Sequence, residues 1–126
     1  MREDIEYLIR RAEVFIRDAK YDLENGDYDI AMFHIEQALQ LLIKAKLLDL
    51  KGSYEKTHSL RKLLGELSKI YKEDEIKKFI EKYKRLLRDL ERAYISSRYF
   101  YEEFFPEEVE EALSLYNELR DLLWKE

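Results

Sequence analysis

The sequence has no cysteine, which excludes disulfides, thiolate metal sites and cysteine nucleophiles together. One proline and three glycines supply little turn chemistry, so few long irregular loops are expected. Two histidines without a cysteine do not make a usual zinc site unless carboxylates join them. Glu55-x-x-His58 matches half of a di-iron bundle pattern, but that site needs two such motifs on facing helices and two further Glu. No metal site and no cofactor are therefore assigned. There is no Gly-rich phosphate loop and no G-x-S-x-G elbow. There is also no alternating strand pattern, internal repeat or low-complexity tract. The most apolar stretch, residues 28–50, is interrupted by His34, Glu36, Gln37, Gln40, Lys44 and Lys46, which rules out a membrane span. The first residues, MREDIEYLIRR, carry charge throughout and have no apolar signal core. No membrane association and a cytoplasmic location are the expectation.

What remains is apolar and charged. Hydrophobic residues are 46% and charged residues 40% of 126, enough for one core under a charged surface and for a single domain over residues 1–126. The net charge of −5 argues against broad nonspecific nucleic-acid binding. Its distribution is uneven: residues 77–98 hold eight Lys and Arg against three Asp and Glu, whereas residues 99–126 hold two against nine. Helices of opposite sign pair readily, within a chain or across a dimer. Abundant Glu, Lys and Arg beside two Asn and two Gln resemble thermophile composition.

Residues 28–50 organise the rest. At about 100° per residue, Ile30, Ala31, Ile35, Ala38, Leu39, Leu41, Leu42, Ile43, Ala45 and Leu48 cover well over half of the helical wheel. Glu36, Gln40 and Lys44 form one narrow polar stripe at i, i+4, i+8, with Gln37 at its border. A helix this apolar has to be wrapped by others. Before it, Ile5, Leu8, Ile9, Ala12, Phe15, Ile16, Ala19 and Leu23 make one buried stripe of a first helix from about Arg2 or Glu3 to Glu24. Tyr7, Val14 and Tyr21 form a second line at i, i+7, suited to another helix or subunit. Asn25-Gly26 stops this helix and Asp27 suits the next N-cap.

After Lys51-Gly52-Ser53, Thr57 is the expected cap of a short third helix over residues 58–70. Residues 74–95 read as one long fourth helix, with Ile76, Phe79, Ile80, Tyr83, Leu86, Leu87, Leu90 and Tyr94 inward. An aromatic connector follows, and Pro106 opens a last helix with acidic residues in its first turn. Its core side is Val109, Ala112, Leu113, Tyr116, Leu119, Leu122 and Leu123. The fold class is all-α, an up-and-down helical bundle of four long helices plus one short helix.

Candidate residues stand out from this background. His34 projects within the apolar arc of the central helix; it is either a core histidine bonded to a neighbour or a ligand-facing group beside Gln37. His58 either helps to begin the third helix or contributes to a site. Arg85, Arg88 and Arg92 form a basic ridge, either solvated and paired with the acidic last helix or open to phosphates. Tyr94, Phe100, Tyr101, Phe104 and Phe105 either plug one end of the bundle or form a dimer or partner interface.

Several of these residues together resemble a known family. Arg11-Ala12 is followed by Phe15, Asp18-Ala19 and Leu23; then come Ala31-x-x-His34-x-x-Gln37-Ala38, Lys44-Ala45-x-Leu47, Thr57-His58-Ser59-Leu60, Tyr94 and Arg98-Tyr99. The chain resembles a small stand-alone prokaryotic HEPN domain (higher eukaryotes and prokaryotes nucleotide-binding) over nearly its whole length. The resemblance implies a bundle of about five helices, a homodimer, and partnership with a minimal nucleotidyltransferase in a two-component or toxin–antitoxin system. It marks His34, Gln37, Lys44, His58, Arg98 and Tyr99 as candidates for nucleotide or partner contact.

Many HEPN proteins are metal-independent ribonucleases that carry an Arg followed, after four to six residues, by a His. Here Asp27, Tyr28 and Asp29 precede His34 at that spacing, Lys51, Gly52 and Ser53 precede His58, and no His follows Arg98. Tyr99 is followed by Phe100, where many relatives have Pro. No catalytic residue is assigned, and a non-catalytic interaction module with a role in nucleotide binding is the expectation. The alternative is a ribonuclease toxin, with RNA as its substrate, using a divergent site built on Arg98, His58 or His34.

Overall fold

A computed structural model describes residues 2–99 and 102–125, the side chains of 97–99 excepted. The described residues form six helices and no strand: α1 (Glu3–Glu24), α2 (Tyr28–Lys51), α3 (Leu60–Ser68), α4 (Glu73–Lys82), α5 (Lys84–Tyr99) and α6 (Pro106–Trp124). α2 is central, packing against α1, α3, α5 and α6. Ala31, Met32, Ile35, Ala38, Leu39, Leu42, Ile43, Ala45 and Leu47 are all fully buried, as its wide apolar arc requires.

The turn between α1 and α2 is built from backbone hydrogen bonds. Asp27 N–H donates to the Asp22 carbonyl (2.9 Å) and Gly26 N–H to the Leu23 carbonyl (3.3 Å). Gly26 has φ +77°, and this pairing is the Schellman ending that a left-handed glycine permits. Asp27 occupies the N-cap position of α2, but its side chain makes no capping bond; its carbonyl accepts from Ala31 N–H (3.0 Å). Gly52, at φ +75°, closes α2 by donating its N–H to the Leu48 carbonyl (3.0 Å).

Two expectations from the sequence need correction. The helix expected over 74–95 is two helices, and α5 runs on to Tyr99, so six helices replace the four long and one short. The break is Tyr83, at φ −108° and ψ 20°. α4 packs on α3, while α5 packs chiefly on the central helix α2 and also on α3. The Tyr83 hydroxyl donates to the Glu118 carboxylate of α6, which also accepts from Lys82 Nζ (3.1 Å), and this pins the corner.

The cap of α3 is Ser59, not Thr57. Thr57 Oγ1 is engaged with Ser59 N–H (3.1 Å), while Ser59 Oγ accepts from Lys62 N–H (3.2 Å). Glu91 of α5 reinforces this start, accepting from the Ser59 hydroxyl (3.0 Å), Arg61 N–H (3.0 Å) and the Arg61 guanidinium (2.8 Å).

Among the described residues, the basic and acidic segments meet at Lys82 with Glu118 and at Arg92 with Glu102 (3.5 Å). Of the connector aromatics, Phe104 is buried and Phe105 is 54% exposed at the start of α6. Phe100 and Tyr101 lie outside the described residues. Tyr7, Val14 and Tyr21 are exposed along α1. No helix among the described residues is long and apolar enough to cross a membrane.

Candidate functional site

The polar stripe of α2 is not a solvated edge. Glu36 is 0% exposed and Gln40 only 5%, so a carboxyl and an amide sit inside an otherwise apolar helix packing. They satisfy one another. Gln37 Nε2 donates to Glu36 Oε1 (2.8 Å), and Gln40 Nε2 donates to Glu36 Oε2 (2.8 Å) and to the His58 carbonyl (2.7 Å). Two oxygens facing one side of the Gln40 amide fix which end is nitrogen. Gln40 thereby ties the loop before α3 to the central helix. Its own Oε1 is buried and has no hydrogen-bond partner among the described residues.

In front of this network lies a cleft of about 190 Å³. α1 supplies Arg11 and Phe15, α2 supplies Gln37, Gln40, Leu41 and Lys44, the loop supplies His58, and α5 supplies Tyr94. The His58 ring stacks on Tyr94, centroids 4.7 Å apart and planes 23° from parallel, with the Tyr94 hydroxyl 3.4 Å from His58 Nε2. Tyr94 also faces Phe33, at 6.2 Å. Lys44 Nζ sits 5.1 Å from the Tyr54 ring centroid, and Arg11 donates to the Tyr7 hydroxyl (3.0 Å). The cleft therefore offers two cations, two amides and flat aromatic walls.

Its electrostatics are set by burial. Burial pushes the Glu36 carboxyl up to about 7, against the opposing hydrogen bonds of Gln40 and Gln37 and the charge of Lys44. Burial also holds the Lys44 ammonium below its ordinary value, while the Glu36 charge works against that shift. Glu91 behaves differently. Burial pushes it up, but the bonds from Arg61 and Ser59 outweigh burial and hold it below the usual carboxylate range. Of these groups Lys44 lines the cleft and Glu36 lies one hydrogen bond behind it, and perturbed groups beside a concavity mark a candidate site.

Three of the six candidates, Gln37, Lys44 and His58, come together here. His34 does not line the cleft. Its Nδ1 is 2.6 Å from Asp22 Oδ2 of α1, and its ring sits between Phe15 (5.8 Å) and Phe33 (5.7 Å). Position 98 follows Tyr94 by one turn of α5, on the same helix face; the side chains of Arg98 and Tyr99 lie outside the described residues. Arg11, Glu36 and Gln40 were not singled out as site residues by their sequence. The signal for the last two was the polar stripe itself, running through a helix that must be covered on most sides. A larger hollow of about 570 Å³ beside the start of α1 is lined by Glu3, Asp4, Glu6, Tyr7 and Arg10 and contains none of the candidates.

No curated protein and no solved structure matches the chain. The HEPN domain model does match, over residues 5–126, which takes in α1 through α6 and every residue of the cleft. The resemblance carried by the central helix and the Thr57-His58 segment thus extends over essentially the whole chain, and the protein belongs to the HEPN domain family.

Proposed function

We propose that this chain is a non-catalytic HEPN interaction module that contributes half of a nucleotide site and works as the partner of a minimal nucleotidyltransferase, in a two-component or toxin–antitoxin-like system. The convergence of Gln37, Lys44 and His58 on one cleft, beside Arg11, supports it most. A cation pair suits phosphate, amides suit the edge of a base, and stacked rings suit its face. The size of the cleft bears on the partner. At about 190 Å³ it falls below the roughly 300–1,000 Å³ of pockets that enclose a small ligand alone. A second copy of the chain would complete the site, so the pure protein is expected to bind nucleotide as a dimer. Dimerisation through helix faces belongs to this reading.

A second reading, a ribonuclease with a divergent site, draws support from the stacking of His58 on Tyr94, one turn from Arg98 on α5. One set of samples separates the two. ATP is expected to bind the wild-type protein, and Lys44→Met to weaken binding about 10- to 100-fold, the scale of a lost hydrogen bond to a charged group. RNA added to the same samples should be recovered intact. Cleavage that disappears on replacing Arg98 with Ala would transfer the assignment to the ribonuclease.

A further inference from the structure

Glu36 sits one hydrogen bond behind the cleft. Both amides that line the cleft beside it, Gln37 and Gln40, donate to its two carboxylate oxygens, and Gln40 carries the link on to the His58 carbonyl. Its side chain has no solvent exposure, so no counter-ion from solution can screen it. Among the described residues, two charged groups act on it. On its own helix Lys44 acts favourably on the carboxylate, and from α5 Glu91 acts against it. Glu91 is itself held by Arg61 of α3. The loop before α3 presents the His58 carbonyl to Gln40, and α1 contributes Arg11 to the lining of the cleft. An anion that enters between Arg11 and Lys44 adds a negative charge beside this buried carboxylate.

We propose that Glu36 couples ligand binding to proton uptake: an anionic nucleotide enters this cleft together with a proton that settles on the Glu36 carboxylate. This rests on the nucleotide reading given above. The physical reason is reciprocity. A nearby negative charge raises the proton affinity of a buried carboxylate, and protonating that carboxylate must raise the affinity for the anion by the same factor. Geometry gives the coupling a second route. An ionised Glu36 accepts from both amides; once protonated, it holds Gln40 less firmly, and Gln40 is what fixes the His58 backbone. Because Glu36 already holds its proton up to about pH 7, the exchange falls in the physiological range.

The test is titration of the full chain with ATP, by calorimetry in buffers of different ionisation enthalpy at pH 7.5, beside Glu36→Gln. Protons exchanged by the ATP phosphates are common to the two proteins, so the difference reports on Glu36. The wild type is expected to take up about half a proton more per ATP than the variant, which is what a rise of about one pH unit in a group titrating near 7 produces. Its affinity should improve at least about fivefold more than that of the variant between pH 8 and pH 6.

A spectroscopic measurement uses the wild type alone, whether or not the variant folds. The Glu36 carboxyl carbon, followed by NMR, should titrate at higher pH with saturating ATP than without it. ATP heat with equal proton counts in both proteins, or a Glu36 midpoint that ATP leaves in place, overturns the coupling and leaves the nucleotide reading standing. No heat from ATP at either pH overturns the nucleotide reading and the coupling with it.

Discussion

Burying the Glu36 carboxylate sets desolvation against two amide hydrogen bonds, and desolvation wins by the distance from 4.5 to about 7. The folded chain holds the Glu36 proton to about pH 7, whereas the unfolded chain holds it only to about 4.5. The stability this group contributes is complete below pH 4.5, falls through that window and is gone above 7, a span of about 3 kcal/mol. Glu91 contributes in the opposite sense. Its carboxyl lies below the ordinary range in the folded chain, so its share is present near neutrality and lost in acid. A comparison with Glu36→Gln removes Glu91 from the question. Urea unfolding should find the variant more stable than the wild type by about 1–3 kcal/mol at pH 8, with the gap closing toward pH 5. A gap that does not change with pH would mean that Glu36 is ionised throughout.

At the scale of the helices, two glycines are expected to respond with opposite signs to the same change. Gly52 ends α2 at φ +75°, and an added Cβ would meet nothing within 4 Å, so Gly52→Ala should cost about 1 kcal/mol through the backbone alone. Gly65 lies inside α3 with equally open space and no left-handed backbone. Gly65→Ala should therefore stabilise by about 0.5–1 kcal/mol. Thermal unfolding of the two single variants checks both directions.

These helix ends also show what was legible from sequence. Asn25-Gly26, Gly52 and Pro106 are local stop and start signals, and α1, α2 and α6 follow them closely. The break at Tyr83 carries no such signal. Ile76, Phe79, Ile80, Tyr83, Leu86, Leu87 and Leu90 keep one helical period across it, and the chief neighbour changes there, from α3 for α4 to α2 for α5. The cap of α3 was hidden for a similar reason. Thr57 and Ser59 are equivalent in type, and Glu91, distant in sequence, bonds Ser59 directly. Leu115 of α6, fully buried, was passed over although it lies inside the expected stripe, three residues after Ala112 and four before Leu119.

For the whole molecule, the organising role of α2 was readable and its chemistry was only partly so. An apolar arc that wide demands partners on several sides, and α1, α3, α5 and α6 supply them. Which residues those partners would cover could not be read from the period. The resemblance brought Gln37, Lys44 and His58 forward, and the packing joins them across two segments far apart in the chain. It also turned the polar stripe from a border into a buried network.

The cleft that results is smaller than a self-sufficient ligand pocket, so the account stands or falls on assembly. The measurement that tests it most directly is a tagged pull-down of the chain from its native lysate with mass spectrometry, beside light scattering of the pure protein. A dimer in solution is expected, with a small nucleotidyltransferase recovered alongside it. A monomer that is recovered without any nucleotidyltransferase would contradict it.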